Sequence, residues 1–302
     1  MRAYIGVTDQ KWYEFLKKHE NLEEINFWQP GGKQQFKYLK QGELFLFKLH
    51  SPNNYIAGGG FFVHSSLLPI NLAWESFGVA NGAPTFSEMY SRVAQYRNQP
   101  YLHAVNFTIG CIILSQPFFL EEWNWIPVPK DWPSNITGRG YDLESEPGRT
   151  LLRQLQASMS GSGIVRENRA RYGEPTTYIP RLGQGAFRVL VTDAYDRRCA
   201  ITNERTLPAL DAAHIVPYSS NGEHIVKNGV LLRKDIHALF DEGYITVTPS
   251  LSVEVSRKIK EEYENGRDYY RLHGGNIRIP LDPMNMPSKD FLQWHNENVY
   301  RG

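Results

Sequence analysis

The chain has 302 residues, 41% hydrophobic, 22% charged and 13% aromatic, which excludes a disordered or fibrous protein and leaves enough length for two domains. Lys and Arg total 33 against 32 for Asp and Glu, a net charge of +1, so bulk positive charge is not the means by which it would hold a nucleic acid. No apolar run approaches the roughly 18 residues of a membrane helix, and the first residues lack a signal-peptide pattern, so a cytoplasmic protein with no membrane partner is expected.

Residues 1–140 read as short strands rich in aromatics. YIGV, LFLFKLH, IAGGGFFVH and TIGCIIL are the strand candidates. Two helices are expected among them. Asp9 to His19 starts with a capping Asp, and Thr85 to Tyr96 starts with a Thr-x-x-Glu capping box. A Pro- and acid-rich stretch between Ile126 and Gly148 marks a boundary. Arg149 to Met159 then spaces Leu151, Leu152 and Leu155 as a helix, read here as a connector that ends at the SGSG of 160–163. Between Arg149 and Arg205 there are ten Arg, no Lys and five acids. An all-Arg segment suits two-point contact with phosphate, and it suits a solvated helix face equally well.

The pattern then changes. GAFRVLVTDAYDRRC reads as a helix, ALDAAHIVPY as extended, SSNGEHIVKNG as a loop, and VLLRKDIHALFDEG as a segment turning into a helix. YITVTP and SVEVS follow as strands, and SKDFLQWHNENVY closes the chain as a helix with a Ser cap. Cys111 and Cys199 form no CxxC pair, so a metal would have to be held by His, Asp, Glu or Asn.

The chemistry sits in this second half. His214 ends a short strand, Asn228 follows 14 positions later at the end of the loop, and His237 lies nine further on in the helix. His237 and Asp241, at i and i+4, share a helical face and can reach one cation. A divalent ion there would stabilise charge on a phosphate and a leaving 3′ oxygen. His214 could deprotonate a water, with Asn228 fixing the loop or orienting the imidazole. His224, in the same loop, reads as solvated or phosphate-contacting.

In this order, DAAHIVPYSSNGEH, KNGVLL and DIHALFDEGYITV resemble the HNH nuclease family, in its restriction-endonuclease branch, over roughly residues 170 to 300. The resemblance implies a ββα-metal fold. It makes His214 the general base, Asn228 the middle Asn and His237 a metal ligand, with Asp241 at a position that also binds metal. The implied cofactor is a divalent ion, Mg²⁺ or Mn²⁺, with Ni²⁺ or Co²⁺ as alternatives. Many relatives carry a ligand immediately before the base, where this chain has Ala213. Asp211, on the same strand face as Ala213, is the nearest replacement. The paired-CxxC zinc site of many relatives has no counterpart around Cys199, so no structural zinc is expected.

The first half carries NFWQPGG at 26–32, Trp74, and the pair Trp123 and Trp125. Trp and Pro beside Gly-rich turns suit a pocket for a flat base flipped out of a duplex, although Trp and Phe serve as ordinary core residues as well. Architecture together with NFWQPGG and GGGFFVH resembles the PUA-superfamily sensors (EVE, SRA or ASCH-like) that precede HNH domains in modification-dependent Type IV restriction enzymes. That resemblance implies an α+β chain. A PUA-like barrel sensor would span 1–140, a connecting helix 141–170, and the HNH nuclease 171–302. Its substrate would be double-stranded DNA with a modified base, held by Trp28, Pro30 and Trp74, with Trp28 and Trp74 on opposite walls. A homodimer would suit cutting of both strands. The alternatives are a modified nucleic-acid reader with an inactive HNH domain, and a non-selective HNH nuclease whose first domain docks a partner.

Overall fold

The computed structural model describes residues 1–19, 21–97, 106–160 and 182–302. It divides into two units, Met1–Gly183 and Gln184–Gly302. The expected boundary at 170/171, the helix stop at 161–163, and Arg166, Arg169, Arg171 and Arg181 lie outside the described residues.

In the first unit, β1 (Arg2–Thr8), α1 (Gln10–Lys17), β2 (Glu24–Gln29), β3 (Leu44–Leu49) and β4 (Tyr55–Pro69) lead to α2 (Ile70–Phe77) and α3 (Phe86–Tyr96). Then come β5 (Thr108–Phe119), β6 (Ile126–Pro127), β7 (Gly138–Asp142) and α4 (Gly148–Ser160). The alternation of Leu and Phe in β3 explains the layering, because successive side chains of a strand point to opposite faces. Leu44 and Leu46 join a core with Ala3, Ile5 and the α4 residues Leu151, Leu155 and Met159. Phe45 and Phe47 join an aromatic layer on the other face, where Trp12 of α1 meets Phe47 and Phe27 edge-on with centroids 5.2 and 5.5 Å apart. All six residues of β3 are therefore buried. The helix read as a connector packs into this unit, because its Leu face has a core to bury itself in.

The strands form one sheet in the order β2-β5-β4-β3-β1-β7, with β6 added on β4. β1 and β3 run parallel, and the other pairs are antiparallel. Among the described residues no pairing joins β2 to β7, so the sheet is open where a barrel was expected. β4 changes register against β5 between Gly59 and Phe61 and again between Phe62 and His64. Its glycines allow the close approach, since a Cβ on Gly58 would lie 2.3 Å from the carbonyl oxygen of Phe118.

The second unit is an α+β arrangement with its own core. It contains α5 (Gln184–Ala194), β8 (Leu210–His214), β9 (Gly229–Arg233), α6 (Lys234–Asp241), β10 (Ile245–Val247), β11 (Val253–Val255), α7 (Lys258–Tyr263), α8 (Arg267–Tyr270) and α9 (Lys289–Asn298). β8 and β9 pair antiparallel with His214 opposite Gly229, and β10 pairs with β11. Phe187, Val191, Val230, Leu232, Ile236, Phe240, Ile245 and Leu292 bury one another between the strand pair and the helices. Cys199 is a buried thiol whose Sγ lies 3.4 Å from the backbone N–H groups of Thr202 and Arg233, a structural place for it. Ser288 precedes α9 but makes no side-chain cap, and its own N–H donates to the carbonyl of Lys227. No helix of the described residues is long and apolar enough to cross a membrane.

Candidate active site

The strand pair β8–β9 presents His214 at its end, and the absence of a side chain on Gly229 opposite it makes room for the ring beneath. A Cβ at Gly229 would come within 3.0 Å of two Phe187 ring carbons and 2.4 Å of Val191 Cγ2. Phe187 stacks flat on His214, with centroids 3.9 Å apart and planes 13° apart. This fixes the plane of the imidazole from below. His214 Nε2 is 2.9 Å from Nδ1 of His224, whose ring is stacked on Tyr218 at 4.7 Å. Burial, followed by the repulsion that a protonated His214 would meet from His224 and His237 when those rings are protonated too, pushes the His214 pKa down to about 4, so the ring is neutral at pH 7.

Asn228 is fully buried, and its amide closes the loop between β8 and β9. Its Oδ1 accepts from the Val216 N–H at 2.8 Å, and its Nδ2 donates to the carbonyls of Val216 and Glu223 at 2.9 and 3.0 Å. Of the two roles open to it in the sequence, the geometry gives it the loop and not the imidazole. All its side-chain bonds go to backbone, which satisfies groups that would otherwise be buried without partners.

His237 of α6 stands between two carboxylates. Its Nδ1 is 3.4 Å from Asp211 of β8, and its Nε2 is 3.3 Å from Asp241 one turn on. Asp211 also pairs with Arg188 of α5 at 3.3 Å. Burial opposes the charged forms of both His237 and Asp211, but the carboxylates of Asp211 and Asp241 outweigh it for His237, and the His237 bond with the Arg188 charge outweighs it for Asp211. His237 is pushed up to about 9, and the Asp211 carboxyl is held below its usual value. Carboxylate oxygens and an imidazole nitrogen are donor types that suit a divalent cation. Each ring nitrogen faces a different carboxylate, so the trio offers pairs of donors on either side of the ring. Among the described residues no three His, Cys, Asp or Glu side chains converge as a cage.

The first unit holds a cavity of about 680 Å³, within the range of small-molecule sites. Trp28 and Pro30 line it, together with Trp12, Phe27, Asp9 and Tyr96. Trp28 is anchored by its Nε1–H to the carbonyl of Asn81 at 3.0 Å, and the Tyr96 hydroxyl donates to Asp9 Oδ2 at 2.7 Å. The two rings are 6.0 Å apart. Burial and the Asp9 carboxylate push the Tyr96 phenol up to about 12, so it stays a donor. Trp74 does not line this cavity, which corrects the expectation that it faces Trp28. It sits on α2 with its ring 6.3 Å from Phe86. Of the other pair, Trp123 is 81% exposed while Trp125 bonds the carbonyl of Leu120.

Two residues escaped the sequence reading. The sequence marks His224 only as solvated or phosphate-contacting, and its place beside His214 depends on how the loop folds back on Asn228. Tyr96 was seen only as the end of a helix, because nothing local marks which strand its ring will meet.

Residues 199–248 match the family model described as HNH endonuclease. No curated protein is detectably similar to the chain. Among solved structures, ASCH from Zymomonas mobilis is similar at 9% identity with a TM-score of 0.35, covering 51% of this chain and 94% of its own. The modification-dependent TagI restriction endonuclease is similar at 14% identity with a TM-score of 0.32, covering 98% of this chain and 81% of its own. Scores this low leave the fold of the first unit to its own strand pairing. The segment matched by the family contains His214, Asn228, His237 and Asp241 together with the strand pair and helix that present them, and the second unit of this chain contains an HNH endonuclease domain.

Proposed function

We propose that the chain is a metal-dependent DNA endonuclease directed to DNA carrying a modified base, as in Type IV restriction of invading phage DNA. One observation carries the nuclease reading. Within the segment that matches the HNH family, a neutral His214 stands on a Phe187 platform near a His237 flanked by Asp211 and Asp241. A divalent cation held by His237 with Asp241 or Asp211 would supply positive charge to the scissile phosphate and to the leaving 3′ oxygen. The chain's own residues do the rest. His214 accepts the proton of the attacking water, and Phe187 keeps its ring plane fixed. Asn228 holds the loop that borders the site. Arg188 offsets the charge of Asp211. Cutting both strands calls for two such sites, which a homodimer supplies.

The cavity of the first unit supports the targeting half. A base turned out of the duplex would stack against Trp28, with Pro30 and Tyr96 beside it.

The test is cleavage of DNA by the full chain in Mg²⁺ or Mn²⁺. His214→Ala should lower the rate at least about 100-fold while the protein stays folded. Cutting at the parent rate would remove His214 from the role of base. A second reading has two observations in its favour. Both nitrogens of His237 are taken by carboxylates, and Ala213 stands where many relatives have a ligand. On that reading the chain binds modified DNA and the HNH domain is silent. Calorimetric titration with Mn²⁺ separates the two, since the nuclease must take up a cation that His237→Ala loses.

A further inference from the structure

We propose that His224 is the positioning residue of the nuclease site, accepting the proton on His214 Nε2 and thereby making Nδ1 of His214 the atom that acts as base. The inference rests on the proposed nuclease reading and assigns a residue and an atom to it.

A neutral imidazole has one N–H and one lone pair, so two ring nitrogens 2.9 Å apart must share a single hydrogen. Two arrangements satisfy this. If His224 donated, His214 would carry its own proton on Nδ1 and have no lone pair left for a water. If His214 donates through Nε2, its Nδ1 keeps the lone pair. Only the second arrangement leaves a base. It also follows the general rule that the partner of one imidazole nitrogen decides what the other can do.

The surroundings hold both rings in place for this. Phe187 lies under His214 with planes 13° apart, and Tyr218 lies flat on His224 with planes 9° apart. The two imidazoles meet at 62° with centroids 5.0 Å apart, an edge-on meeting consistent with a bond along the nitrogen edge. His224 is brought there by the loop that Asn228 closes, through the bond from its Nδ2 to the carbonyl of the neighbouring Glu223. In the reaction, water gives a proton to His214 Nδ1 and its oxygen forms the new bond to phosphorus. The leaving 3′ oxygen takes a proton from solvent. Throughout, the Nε2–H of His214 stays bonded to His224, which spreads the charge of the imidazolium. Tyr218 is 68% exposed, so this support is on the solvent side of the site.

The experiment combines a spectroscopic and a kinetic readout on the full chain. With ¹⁵N-labelled histidine at pH 7, the His214 resonances, assigned through variants, should show protonated Nε2 and unprotonated Nδ1. His224→Phe, which keeps a ring to stack on Tyr218 but accepts no hydrogen bond, should lower kcat roughly 10- to 100-fold with KM little changed. His224→Gln, whose Oε1 can take the same proton, should restore most of that loss. A His214 carrying its proton on Nδ1, or a His224→Phe chain that cuts at the parent rate, overturns the inference even if the parent is an efficient nuclease. A parent that cuts no DNA but shows the Nε2–H tautomer overturns the nuclease reading and leaves the pairing supported.

Discussion

His295 shows how one residue sets a pH limit on the second unit. It is 2% exposed, its Nδ1 accepts the Thr246 hydroxyl at 2.8 Å, its Nε2–H donates to the carbonyl of Phe240 at 3.2 Å, and its ring lies 3.8 Å above that of Phe240. Burial pushes its pKa down to about 4, against roughly 6.5 in an unfolded chain. The native state thus holds the neutral ring while the unfolded state takes up a proton below pH 6.5. The stabilisation from this residue is complete above about pH 6.5, falls as pH drops toward 4, and amounts at most to about 3 kcal/mol. His214 shifts in the same direction, so the measure is a difference of slopes. His295→Gln should flatten urea stability against pH between 6.5 and 4 relative to the parent. Equal slopes would show that this ring does not titrate as described. At this scale the His237–Asp241 pair was legible in the sequence, because the helical period puts i and i+4 on one face. His224 was not, since a loop has no period.

Elements act through the contacts between them, and Gly229 is the clearest case. It sits opposite His214 in the β8–β9 pair and leaves room for Phe187 of α5. Gly229→Ala would push a methyl group into Phe187 and Val191, and relief requires α5 to shift or the Phe187 ring to tilt away from His214. The expected result is a loss of stability of about 1–3 kcal/mol together with slower DNA cleavage. Thermal unfolding and a nicking assay measure the two, and a variant that loses neither would show that the Phe187 platform is not held in this way. Helix starts were legible where a side chain caps them. Asp9 accepts from the N–H of Trp12 at 2.8 Å, and Thr85 from that of Glu88 at 3.3 Å. The end of α5 was not, because Asp196 and Arg197 take left-handed conformations that their residue types do not advertise.

For the whole molecule, the reading proposed above divides labour between a cavity in the first unit and a cleavage site in the second. Stacking a flipped base returns roughly 1 to 3 kcal/mol against an unstacking cost of a few kcal/mol. A buried methyl-sized substituent adds about 0.8 kcal/mol, close to fourfold in binding. The expected enzyme therefore prefers modified DNA without ignoring unmodified DNA. Trp28→Ala should abolish that preference in competitive cleavage. Trp74→Ala, at a site that does not line the cavity, should keep it. A Trp28→Ala chain that still prefers modified DNA would place recognition outside the cavity.

The sequence by itself determined the elements whose signals are local. These are the strands with apolar runs, the capped helices, and the strand, loop and helix that carry His214, Asn228 and His237. Tertiary structure alone decided which faces and loops meet. The alternating Leu and Phe of β3 told of two covered faces only once α4 and α1 were seen on either side. The choice of Tyr96 over Trp74 beside Trp28, the open edge of the sheet, and the bond from His224 to His214 all depend on where the chain returns in space. Side-chain periodicity repeats over two to four residues, whereas these meetings are set by the packing of segments ten to a hundred residues apart, and that packing is fixed by the core as a whole.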